Sequence, residues 1–243
     1  MMFFCPPRTI SFFSYISDEF YQSFVKDDRY LYIVDGLWNT LLITVFAVLI
    51  GIVLGTLVSL IKVAHSENPG RYRFLNAVAT LYLTVIRGTP VVVQLMIMYY
   101  IILSGTEVSD IMTAILAFGI NSGAYVAEII RGGILSVDRG QTEAGRSLGL
   151  SQRKTMAKIV FPQALKNILP AIGNEFITLL KDTSIAGYIG IQDLTKGGDI
   201  IRSQTYSPFT PLLATAAVYL IIVIGLAALL GKLERRLRRS DYR

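Results

Sequence analysis

One cysteine and one histidine in 243 residues remove most of the common site chemistries. Cys5 alone can form no internal disulfide, and with His65 it makes no cluster at metal-ligand spacing. No Ser/His/Asp set or cofactor fingerprint stands in the chain, so enzymatic chemistry has no foothold. The pattern G-x-x-x-x-G-K-[ST] is missing too, which excludes a phosphate-cradling loop and leaves any energy source to a partner. Charge is scarce: 16% of residues are charged against 53% hydrophobic, and the mean hydropathy is +0.53, too apolar for an ordinary soluble domain. The net charge of +6 lies in blocks beside apolar runs and not along one amphipathic face, so no nucleic-acid partner is expected.

What the chain does have is long uncharged runs. Residues 36–61 and 203–231 carry 26 and 29 residues without a charge, each beyond the roughly 20 that cross a bilayer as helix. Five spans are expected, near 34–62, 72–104, 111–134, 161–182 and 209–232, as an all-α integral membrane domain over residues 31–235. Residues 1–8 lack a cleavable-signal pattern, so residues 1–30 read as a polar extracytoplasmic extension and 236–243 as a basic cytoplasmic tail. Arg87-Gly88-Thr89-Pro90 interrupts the second span, as proline and glycine do in a broken membrane helix. With the N-terminus outside and the C-terminus inside, 17 of the 23 Lys and Arg residues fall on the cytoplasmic side, where positive charge collects.

Polar residues recur inside the apolar segments at helical spacing. Asn121, Tyr125 and Glu128 share one face of the third span, and Asn167, Asn174, Thr178 and Lys181 one face of the fourth, with Glu175 and Asp182 beside it. Charge near the bilayer centre costs about 2.5–3.5 kcal/mol on insertion scales, so these seams are expected to line a cavity or pair with each other. If the seams line a path for a small polar solute, Arg87 and Thr89 offer it donors, Glu128 or Asp182 acceptors, and Gln94, Asn121 and Tyr125 neutral contacts. The bland alternatives are ion pairs, Glu128 with Arg131 and Lys181 with Asp182 or Glu175, and asparagines acting as interhelical hydrogen-bond links. Gly51, Gly55, Gly119, Gly123, Gly132 and Gly133 read as close-packing positions.

Between two apolar stretches, residues 143–162 read EAGRSLGLSQRKTMAKIVFP. A short helix over 141–148, a left-handed Gly149, a second helix capped by Ser151, and Pro162 opening the next span describe a helix–turn–helix elbow on the cytoplasmic side. Its basic residues would also allow an amphipathic helix lying on anionic lipid, but a glycine between two short helices argues against one continuous helix.

Glu143-Ala144, Gly149 five residues after Ala144, Ile159 and Phe161-Pro162 resemble the EAA loop of ATP-binding-cassette importer permeases, with Gly145 in place of the third Ala and Phe161 in place of Leu. RGTPVVVQL at 87–95, NSGAYVAEIIRGGI at 121–134, SVDRGQTEAGRSLGLS at 136–151 and FPQALKNILPAIGNEFITLLKDTS at 161–184 are similar to the polar amino acid uptake subgroup, over roughly residues 30–235. The resemblance implies a type I importer permease in a bacterial inner or plasma membrane. It pairs with a copy of itself or a paralogue, and works with two cytoplasmic ATPases and an extracytoplasmic solute-binding protein. It also implies a coupling loop over 138–162 in which Glu143, Ala144, Gly145, Ser147, Leu148, Gly149 and Leu150 face the ATPase. ATP and magnesium would then belong to that partner, with no cofactor on this chain. A secondary transporter or channel for small polar solutes would share the broken helices and polar seams but has no need of the loop.

Overall fold

A computed structural model of the chain describes residues 17–67 and 69–238; Cys5, the start of the N-terminal extension and Arg239 and Arg243 of the tail lie outside them. The principal helices are α1 (Tyr30–Glu67), α2 (Arg73–Gly88), α3 (Val91–Ile97), α4 (Asp110–Leu135), α5 (Arg139–Ser147), α6 (Gln152–Thr155), α7 (Phe161–Asp182), α8 (Leu194–Thr205) and α9 (Phe209–Arg238). Wider π-type turns extend α3 through Met98–Ile102 and join α6 to α7 through Met156–Val160. Among the described residues there is no strand.

Three helices are long and apolar enough to cross a membrane alone: α1, α4 and α9. The pair α2 and α3 passes that test jointly but is bent by 109° at Thr89-Pro90, as a broken span or a re-entrant loop. Pro90 has no N–H to continue the ladder, and the residue before it is pushed to extended backbone, here Thr89 at φ −122° and ψ 147°. Helix α7 forms where a span was expected, with proline in its first turn, but is too polar to meet the apolar criterion alone.

Helix α4 is the centre. In its most apolar stretch 72% of residues are buried, against 33% for α1 and 6% for α9. Small residues let α1 and α4 approach closely, as they do where apolar surface alone gives no driving force in lipid. A Cβ at Gly55 would lie 2.7 Å from Val126 Cβ, and one at Gly119 would lie 2.8 Å from Ile50 Cγ2. Gly51, Gly123 and Gly133 are similarly crowded, but Gly132 has nothing within 4 Å and is no packing position in this chain. Around that seam Ile43, Ala47, Leu95, Ala114, Phe118 and Leu179 form the main core. Outward, α1 exposes Leu49, Val53, Leu57 and Leu60, and α9 exposes Leu220, Ile221, Ile224 and Leu229, the apolar surface a helix in lipid needs.

One element has no counterpart in the sequence reading. Helix α8 lies against the N-terminal half of α1, capped by Asp193, whose carboxylate accepts from the Thr195 and Lys196 amides. Thr40 Oγ1 accepts from Leu194 N at 3.1 Å, and Asn39 Nδ2 donates to Gln192 O at 2.9 Å, so α1 turns a polar edge to this helix. On its outer surface Asp199 pairs with Arg202 and Lys196, and the Arg202 hydrogen bond first of all holds the Asp199 carboxyl below the ordinary range.

If the α1–α4 approach sets the fold, Gly55→Leu should lower stability by about 1–3 kcal/mol through overpacking. Thermal unfolding of the purified protein in detergent measures this. An unchanged midpoint would mean that the seam yields without cost.

Candidate functional site

Two regions gather the residues singled out in the sequence. The first is the broken hairpin against α4. A break in a membrane helix frees carbonyls that must find donors inside the protein. Gln94 supplies them: its Nε2 lies 2.7 Å from Ile86 O, 3.0 Å from Thr89 O and 2.8 Å from Thr89 Oγ1. Its Oε1 accepts from Asn121 Nδ2 at 2.9 Å, and Asn121 is buried on α4. Gln94, Thr89 and Asn121 therefore form one network that fixes the bend to the central helix.

One turn further along α4, Arg87 stands with its guanidinium carbon 5.6 Å from the centre of the Tyr125 ring, a cation–π distance. Arg87 Nη1 is 3.9 Å from Glu128 Oε2, and the same oxygen takes Arg131 Nη2 at 2.6 Å and Nε at 3.1 Å. Glu128 thus has two cationic partners, one on its own helix and one on the hairpin. The expected Glu128–Arg131 pair is present, and Arg87 joins it.

The seam on α7 is arranged differently. Asn174, Thr178 and Lys181 are exposed, on a face that this chain leaves uncovered, and Asp182 is half-buried beside them. Lys181 makes no ion pair among the described residues, so the alternative pairing with Asp182 or Glu175 is not formed. It borders an open cavity of about 490 Å³ with Ser184, Thr195 and Tyr219. Glu175 instead turns to α4 and accepts from Ser122 Oγ at 2.9 Å, while Asn167 Nδ2 donates to Ser136 Oγ at 2.9 Å. Ser122 and Ser136 escaped the sequence reading because a serine in a membrane helix carries no periodic signal of its own. Among the described residues no three His, Cys, Asp or Glu side chains converge as a metal site requires.

The second region is the elbow. Asp138 caps α5 through Gly140 N at 2.6 Å. The helix ends with Gly149 at φ +81°, with Gly149 N bonded to Arg146 O at 2.9 Å and Leu150 N to Gly145 O at 3.1 Å, the paired closing bonds of a left-handed glycine terminus. Gly145 is buried because α5 folds back on α6: a Cβ there would lie 2.8 Å from Thr155 Cγ2 and 2.9 Å from Ile159 Cδ1. Its place in the motif where alanine is usual thus follows from contact inside the elbow. Arg146 Nη1 donates to Gln152 Oε1 at 3.0 Å across the turn. Ser151 occupies the cap position before α6 as expected, but its hydroxyl makes no capping bond; Thr155 N bonds to the Ser151 carbonyl instead. On the outer face Glu143, Ala144, Ser147 and Gly149 are exposed, Leu148 is 81% exposed, and Leu150 is half-buried.

The chain as a whole is similar to known proteins. Residues 69–239 match the family model described as binding-protein-dependent transport system inner membrane component. The chain belongs to this family. The putative glutamine transport system permease protein of Rickettsia bellii is 38% identical over 211 residues, covering 86% of this chain and 94% of that one. The arginine transport system permease protein of Bacillus subtilis is 39% identical over 212 residues, with the same coverage. A crystal structure of an amino acid ABC transporter with histidines aligns at TM-score 0.79 and 40% identity, covering 94% of this chain and 99% of that one. The MetNI methionine transporter, inward facing, shares the fold at TM-score 0.71 and 21% identity, covering 87% and 99%. This chain is therefore the permease subunit of an ABC importer, an inner-membrane component whose ATPase is a separate subunit.

The Gln94 network yields a direct expectation for the permease. Gln94→Leu leaves the Asn121 amide and the freed α2 carbonyls without partners, at about 1–3 kcal/mol for a buried unsatisfied group. Thermal unfolding should show the loss, and Asn121→Leu added to it should restore part of it; equal stability of Gln94→Leu and the parent would contradict the network.

Proposed function

We propose that this permease conducts amino acids by alternating access, as five spans with the N-terminus outside and the C-terminus in the cytoplasm. It pairs with a second permease, two ATPases bind the elbows, and an extracytoplasmic binding protein delivers the substrate. The names of the relatives, glutamine and arginine transport permeases, support an amino acid as cargo. The cell membrane of a bacterium is the location this reading requires.

The observation that carries the coupling role is the outer face of the elbow. Glu143, Ala144, Ser147, Leu148 and Gly149 are presented together while Gly145 and Gly149 hold the two short helices in one geometry. A stiff elbow transmits displacement, where a flexible loop would absorb it. Leu148 and Leu150 give the apolar contact and Glu143 the charge that registers it, the combination that interface anchors use.

The pathway, in this reading, is bordered by the uncovered polar face of α7 and by the Arg87 cluster. Asn174, Thr178, Lys181 and Asp182 would be costly against lipid, so water, substrate or the partner permease is their natural neighbour. Arg87 and Thr89 offer donors to a carboxylate, with Tyr125 and Glu128 beside them; Gln94 and Asn121 hold the wall behind. Because Glu128 already binds Arg87 and Arg131, a substrate ammonium would have to displace one of them. A ligand that binds one pathway state better than the other is what drives the cycle.

Reconstitution with the partner ATPase and binding protein tests the reading. Glu143→Lys is expected to weaken ATPase docking about tenfold or more, at least about 1.4 kcal/mol, and to abolish substrate-stimulated ATP hydrolysis with the membrane fold intact. Arg87→Gln and Asp182→Asn should reduce uptake of labelled glutamine or arginine more than they reduce co-purification of the subunits. Normal uptake by Glu143→Lys, or co-purification reduced as far as uptake in the other two, would contradict it.

A further inference from the structure

A cavity of about 480 Å³ opens where the C-terminal turns of α1 and α4 meet the elbow, within the size range of small-ligand sites. Three cations line it, Lys62 from α1, Arg131 from α4 and Arg139 from α5, and among the described residues no carboxylate does. Arg131 is met by Glu128 behind the wall. Lys62 Nζ donates to the neutral Thr80 Oγ1 at 2.6 Å and its charge also faces Glu128, while Arg139 has no ion pair among the described residues. Among the described residues three positive charges thus face one carboxylate, Glu128, which leaves the concave space net positive.

The surrounding chemistry narrows what would fill it. A guanidinium and an ammonium, with the Thr142 hydroxyl at hand, form a donor set suited to a phosphate, and the net positive charge disfavours a cation. Lys62 is the first charge after the uncharged run of 36–61, the position at which basic residues meet lipid headgroups. Leu135 belongs to the same lining and is 65% exposed, so an apolar flank leads away from the charged floor.

We propose that this cavity takes a phosphate group, supplied by the headgroup of an anionic phospholipid, and that the occupant bridges α1 and α4 to the elbow. Arg139 and Thr142 stand on α5, Gln152 on α6 and Met156 just after it, so both arms of the elbow touch the bound group. The lipid would set how firmly the elbow is held before any ATPase arrives.

The test is native mass spectrometry of the permease with its partner subunits, titrated in neutral detergent with phosphatidylglycerol or phosphatidylcholine, with inorganic phosphate as a parallel arm. Phosphatidylglycerol should be retained more tightly than phosphatidylcholine, and Arg139→Gln and Lys62→Gln should each weaken its retention about fivefold, the equivalent of about 1 kcal/mol per basic side chain near the surface. Lys62 lies outside the elbow, so Lys62→Gln gives the reading even where Arg139→Gln fails to assemble. Phosphatidylglycerol retention unchanged by the substitutions overturns the site. Inorganic phosphate binding that both substitutions weaken, with no preference between the lipids, keeps the phosphate site and overturns the lipid as its source.

Discussion

The close approach of α1 and α4 is the constraint on which the rest of the permease hangs. In lipid, apolar side chains gain nothing by leaving the membrane for each other, so helices hold through tight packing and a few interhelical hydrogen bonds. Glycines at 51, 55, 119 and 123 bring the two backbones together and leave α4 the most buried span. Polar links from α2, α3 and α7 then end on α4: Gln94 on Asn121, Tyr82 on the Ile120 carbonyl, Glu175 on Ser122, Arg87 on Glu128. Below them Gly133 admits Ile168 of α7, close to where the chain turns into the elbow.

That arrangement gives a mechanical reading of the molecule. A hairpin bent by 109° is pinned to the central helix by neutral hydrogen bonds at one level and by an ion-pair cluster at the next. The neutral network leaves little freedom, since every donor of Gln94 is used. The ion pairs exchange more easily, because Arg87 at 3.9 Å is only loosely held to a carboxylate that Arg131 already binds at 2.6 Å. Movement of the hairpin against α4 would begin there. The elbow, closed on itself through Gly145 and Gly149, joins α4 to α7 and so is attached to both helices.

Much of this was legible in the sequence, and the reasons are specific. Uncharged runs of 26 and 29 residues announce α1 and α9, and Gly88-Thr89-Pro90 announces the bend, because both are consequences of one local property. The elbow was legible down to the left-handed glycine for the same reason. Helix α8 was not: with Lys196, Asp199 and Arg202 it looks like a loop, and beside the local Asp193 cap it rests on α1, through contacts more than 150 residues away in sequence. Gln94 was visible as a polar residue but its task was not, since repair of a broken helix depends on an angle that residue types do not encode. The α7 seam was correctly periodic, yet periodicity cannot say that Glu175 faces inward and Asn174 outward.

The most direct test follows the tip of the elbow. Leu148→Cys, placed in a Cys5→Ser chain that then has no other thiol, can be labelled with a membrane-impermeant maleimide from either side of the membrane. Labelling in inside-out vesicles only, lost when the ATPase is added, is the result expected of an exposed cytoplasmic contact that the ATPase covers. Labelling from the outer face, or labelling that the ATPase leaves untouched, would contradict the account.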